Sequence, residues 1–282
     1  MNPVLSANPI YDLRELLVFP FMVNALEAGT IVAVLAAVVG WYVVLRGQTF
    51  ASHTLSVMAF PGATGAALAG LPASLGYYVA CTVAAMAIGG GGRARRRRRG
   101  SETATIGTVQ TVGLAAGFLF LSLNQSVLGE PDALLFGTFL GITRGQVLAL
   151  LLVAIAALVA LAALARPLLF SSIDADVARA GGVPVRLIDV AFLLILGLAI
   201  AATSQLTGAL LVFALLVAPA ASAQLITARP VAGLALSVAI ALVVVWLGLA
   251  IAYFTIYPVG FYVTSLAFAI YVAARIVTGR RG

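Results

Sequence analysis

The chain has 282 residues, of which 63% are hydrophobic and only 9% charged, with a formal net charge of +7. Several apolar runs reach the roughly 20 residues that cross a bilayer, which excludes an ordinary soluble enzyme and predicts a polytopic membrane protein with no separate soluble domain. Every positive charge is Arg and six of the sixteen lie between Arg93 and Arg99, the pattern of a cytoplasmic loop under the positive-inside rule, so no nucleic-acid partner is expected.

In chain order, residues 1–20 read as an N-terminal interfacial segment carrying Asp12, Arg14 and Glu15, without the basic start and short apolar core of a cleaved signal peptide. Spans are predicted over 26–45, 54–71, 75–87, 103–123, 146–165, 187–203, 206–226, 231–254 and 259–276. The expected fold class is therefore all-α: a transmembrane bundle of about eight to nine spans, one domain over residues 1–282. Placing the Arg cluster inside also puts Arg46, Arg166, Arg179, Arg186, Arg229, Arg275, Arg280 and Arg281 inside. Arg14, Arg144, Glu130 and Asp132 then face out, beside a short apolar piece over 133–142 that is too short to span. The parity predicts an outside N-terminus and an inside C-terminus.

Cys81 stands alone in an apolar run, which leaves no disulfide framework and no thiolate cluster. Gly62, Gly65, Gly70, Gly113 and Gly117 suit close helix packing. Pro61 and Pro219 interrupt their spans, as hinges or as static packing elements, and Gly208 follows shortly after an expected break at Thr203 and Ser204. Gln205, just past that break, is a candidate lining residue of the outer mouth. Gln110, Asn124, Glu27 and Asp189 are read as mostly structural, the last two lying close enough to the interfaces to stay hydrated.

The loop over 171–186 predicts a short helix. Ser172 or Asp174 can cap its start, residues 175–180 including Asp176, Ala178 and Arg179 favour helix, Gly181 and Gly182 supply a left-handed stop, and Pro184 prevents continuation. Such a helix can receive force from a partner; it is equally a common interfacial turn.

Four blocks together resemble the membrane permease subunit of bacterial ATP-binding-cassette importers for zinc, manganese or iron. They are FMVNALEAGTIVAVLAAVVGWYVVLRG; SHTLSVMAFPGATGAAL with ETATIGTVQTVGLAAG; LLFGTFLGIT with DADVARAGGVPVRLID; and SQLTGALLVFALLVAPAASAQLIT. The resemblance implies the metal-type importer permease fold in the bacterial cytoplasmic membrane, working as a homodimer. It also implies two cytoplasmic ATPase subunits that bind the ATP, an extracytoplasmic metal-binding protein, membrane lipid around the bundle, and 171–186 as the ATPase-coupling loop. No GxxxxGK[ST] loop occurs here, so ATP hydrolysis is expected on another chain and the permease itself is not an enzyme.

The second block departs from the family pattern. Where relatives carry an Asp and a His four residues apart, this chain has His53 and Val57. His53 is the only His, and one imidazole cannot build a tetrahedral site. Two copies with Ser56, Thr54 or carbonyl oxygens can form a weak transient one, or His53 is an interfacial residue bonded to a carbonyl. The expected cargo is zinc first, then manganese or ferrous iron. The alternatives are a siderophore or corrinoid chelate, and, on a different principle, a secondary transporter, which would be expected to show mid-membrane carboxylates.

Overall fold

The computed structural model describes residues 18–90, 99–123, 141–255 and 257–279. Residues 1–17 of the N-terminal segment, Arg93, the arginines 95–98, Asn124, Glu130, Asp132, most of the 133–142 piece, Arg280 and Arg281 lie outside them. The described residues form α1 (Pro20–Leu45), α2 (Thr49–Leu68), α3 (Ala73–Gly90), α4 (Arg99–Leu123), α5 (Arg144–Ile173), α6 (Ala175–Ala180), α7 (Val185–Ile226), α8 (Pro230–Tyr253) and α9 (Val259–Gly279). Among the described residues, seven segments are long and apolar enough to cross a membrane, counting only the first part of α7, Val185–Gln205.

α7 is the hub of the bundle, packed against α1, α2, α3, α5, α8 and α9, and α1 packs against α5, α7 and α8. Beyond Glu27 and Thr30 in its first half, α1 is apolar all round, as a helix packed among other helices must be. Pro20 opens it where a missing N–H costs nothing. Small residues set how closely its neighbours approach. A Cβ on Gly40 would strike the Leu216 carbonyl oxygen of α7, and Cβ atoms on Gly62 and Gly76 would each strike the other residue's carbonyl, so α1–α7 and α2–α3 meet backbone to backbone. Gly113 and Gly117 receive Met58 and Phe60, seating α4 on α2. Cys81 is fully buried and donates to the Leu55 carbonyl at 3.5 Å, so its role is packing.

α2 is the polar member of the core. Ser52, Thr54, Ser56 and Thr64 are all buried, and the Ser56 and Thr64 hydroxyls bond back to carbonyls one turn earlier. Spending those donors on its own backbone lets a helix of modest hydropathy sit among the others.

The structure moves several predicted boundaries. α3 is longer than the 75–87 expected, α4 is helical already at Arg99, where the described residues resume, and α5 runs on to Ile173, its last turn bonded by Arg46 at the end of α1. The helix break is not at Thr203 and Ser204. Both are helical, and the Thr203 hydroxyl bonds the Ala199 carbonyl at 2.8 Å. The break is at Gly208, whose φ of 74° and ψ of 160° suit glycine alone. Beyond it, Leu211–Ile226 is a shorter apolar helix that contains Pro219, which has no N–H to give the preceding turn, and it stays helical to Ile226.

Candidate functional site

His53 lies in the second turn of α2 with its ring edge-on to Phe213, which stands just past the Gly208 break; the centroids are 4.9 Å apart. Its Nδ1 is buried and meets no hydrogen-bond partner among the described residues, so the carbonyl-bonded reading fails for that nitrogen. Ser56, one turn along the same face, donates to the His53 carbonyl at 2.8 Å and keeps only its lone pairs for another partner. Thr54 donates to Gln110 Oε1 of α4 at 3.1 Å, fixing α2 against α4 at the same level. Among the described residues, no three His, Cys, Asp or Glu side chains converge. One chain thus offers a single imidazole beside hydroxyl and carbonyl oxygens, which suits passing contact with a cation more than capture.

Gln205 belongs to a different place. Its amide donates to the Ala201 carbonyl at 3.2 Å, and it lines a pocket of about 280 Å³ with Ser74, Tyr78 and Gln146, whose lining excludes His53 and Ser56. Gln146 closes the capping box with Thr143 that starts α5. At this same end Arg144 pairs with Glu27 at 3.1 Å.

At the opposite end α6 is built as expected. Of the two proposed caps, Asp174 is the one used: its Oδ1 accepts from the Asp176 and Val177 amides, each at 2.9 Å. Ser172 instead bonds within α5 and to Arg46. Ala178 is fully buried and anchors the helix, while Asp176 and Arg179 pair on its exposed face. The amides of Gly181 and Val183 close the C-terminus, Gly182 takes the left-handed conformation at φ 81°, and Pro184 caps α7.

The ends of α1, α5 and α7 are tied together here by contacts that sequence reasoning missed. Arg46 pairs with Asp189, reaches Ser171 at 3.3 Å and Ser172 at 3.0 Å, and lies over the Phe192 ring. The signal available was a charged residue at each of two helix ends, but nothing in the sequence matched one to the other. Phe213 and the Thr54–Gln110 bond were likewise missed, being ordinary apolar and polar residues until the fold joined them.

A bundle of long apolar helices, with one broken helix and a short capped helix at one end, marks a multi-pass membrane protein. The chain belongs to the ABC 3 transport family, whose model matches residues 18–278. It is 29% identical over 223 residues to the manganese transport system membrane protein MntC of Halalkalibacterium halodurans, covering 79% of this chain and 75% of that one. It is 31% identical over 219 residues to the chelated iron transport system membrane protein YfeC of Yersinia pestis, covering 76% and 73%. Among solved structures it resembles PsaBC from Streptococcus pneumoniae in complex with Fab, with a TM-score of 0.83, 25% identity and coverage of 94% and 95%. The chain is thus a plasma-membrane permease subunit of the metal-transporting ABC class, and not the subunit that hydrolyses ATP. Membership implies an ATPase and a substrate-binding partner.

Proposed function

We propose that the chain is the membrane half of an ATP-driven importer that passes a divalent transition metal ion through a homodimer by alternating access. Manganese and ferrous iron lead as cargo because relatives are named for manganese and iron transport, and zinc, first on sequence grounds, is the third candidate. The observation that carries the reading is α6, a capped helix with exposed Asp176 and Arg179 joining the ends of α5 and α7. A partner that moves α6 moves both long helices, and through α7 the Gly208 break and Phe213 against His53. In this reading the Arg46 end is cytoplasmic, as is the C-terminus, and each ATPase subunit grips one α6. His53 from each copy, with Ser56 and neighbouring carbonyl oxygens, touches the ion in transit, while Gln205 stands near the opposite mouth.

The test is reconstitution of the chain with its ATPase and binding protein in liposomes, measuring ATP-dependent uptake of manganese, iron and zinc, and of a ferric chelate because one relative is named for chelated iron. Uptake of one free ion, lost in His53→Ala with the complex intact, supports the reading. Uptake of the chelate alone, or of nothing by a complex that still hydrolyses ATP, sinks it.

A further inference from the structure

Two adjoining cavities of opposite character meet at the Arg46 end. The first, about 730 Å³, has Arg46, Gln48, Asp176, Arg179, Arg186 and Asp189 in its wall. The second, about 600 Å³, shares Arg179, Val185 and Arg186 with it and continues over Pro184, Leu187 and Val190, a largely apolar wall. Within the charged cavity Asp189 answers Arg46 and Asp176 answers Arg179. Arg186 is the guanidinium left with no carboxylate partner among the described residues. The Gln48 side-chain amide, whose buried oxygen meets no donor among the described residues, lines the same space.

We propose that the paired cavities hold one anionic phospholipid. Its phosphate sits on Arg186, beside the Gln48 amide, and an acyl chain lies over Leu187 and Val190. The change from Arg186 to Leu187, both exposed, puts the boundary between charged and apolar wall at the first turn of α7, where a spanning helix enters lipid. A soluble anion or an acidic side chain of a protein partner gains nothing from the apolar groove, whereas a phospholipid uses both walls. Guanidinium geometry suits bidentate contact with a phosphate. Such a lipid would brace α6 against α7. The proposal does not depend on the identity of the cargo or on import.

The experiment is native mass spectrometry of the full chain with its ATPase partner, released from nanodiscs of equal phosphatidylglycerol and phosphatidylcholine with matched acyl chains. The expected result is a roughly tenfold preference for retained phosphatidylglycerol. Arg186→Gln and Leu187→Asn, both at exposed positions, each reduce it several-fold without changing the melting temperature, and Arg275→Gln leaves it intact. Equal retention of the two lipids, or an undiminished preference in Arg186→Gln, overturns the proposal. So does a preference that Leu187→Asn leaves untouched and inorganic phosphate abolishes, since that marks a plain anion site.

Discussion

Arg46 at the end of α1 and Asp189 at the start of α7, 143 positions apart, form an ion pair in which the guanidinium side chain is only 7% exposed. A charge so enclosed needs its partner, and removing one side of a buried pair costs more than the pair contributes. Asp189→Asn should therefore destabilise the chain by about 2 kcal/mol, below the usual range because Asp189 is partly hydrated and the serines of α5 remain as acceptors. Thermal unfolding in detergent checks it. Arg46→Met with Asp189→Leu should unfold at a higher temperature than either single change.

The backbone contacts between helices predict a graded series. Gly40→Ala and Gly62→Ala drive a methyl group into a carbonyl oxygen that cannot turn aside, so each should lower the yield of monodisperse protein severely. Gly65→Ala meets only the edge of the Phe120 ring at 3.2 Å, and should be tolerated after a small ring movement. Fluorescence-detected size-exclusion chromatography ranks all three; equal yields would contradict the packing.

The break in α7 predicts strain. Gly208→Ala must adopt a φ near 74°, which L residues avoid, at a cost of roughly 1–3 kcal/mol. If the broken geometry serves transport, the variant should also slow uptake by more than its lost folded fraction accounts for. Uptake proportional to folded protein would assign the break a static role.

Asp174→Ala deletes the cap that satisfies the Asp176 and Val177 amides. The expected loss is about 1 kcal/mol of local stability, with α6 fraying while the bundle stays folded. Under the coupling proposal, ATP hydrolysis by the assembled complex should continue while ions moved per ATP fall several-fold. An unchanged ratio would remove α6 from the coupling path.

Phe213 offers a test separate from His53 itself. Phe213→Leu keeps the apolar volume but removes the ring that packs edge-to-face with the imidazole. If His53 must be aimed to touch the ion, this variant should lower the uptake rate with little change in melting temperature; unaltered uptake would show that aiming is unnecessary.

The sequence carried the fold well where apolar length was the signal, as in α1, α5, α8 and α9. It carried α6 almost residue by residue, because caps and left-handed stops are local chemistry: Asp174, Gly182 and Pro184 act on backbone atoms a few residues away. It failed where the deciding partner was remote. One further miss was local: Thr203 and Ser204 read as a helix break, yet the Thr203 hydroxyl returns to a carbonyl of its own helix. His53 was legible as unusual but not as edge-on to Phe213, and Gln205 as polar but not as remote from His53's surroundings. Arg46 and Asp189 were each placed near a helix end, and only folding shows that one holds the other.

Asp174 is at once the last cap of α5 and the first cap of α6, with φ −147° and ψ 105°. Two helices joined through one residue have no slack between them: only two backbone dihedral angles separate their axes, and here the Asp174 side chain is itself bonded into α6. The buried Ala178 and the Gly182 turn close the far side. Under the coupling proposal, any displacement of α6 therefore reaches the ends of α5 and α7 with almost no chain between them to absorb it.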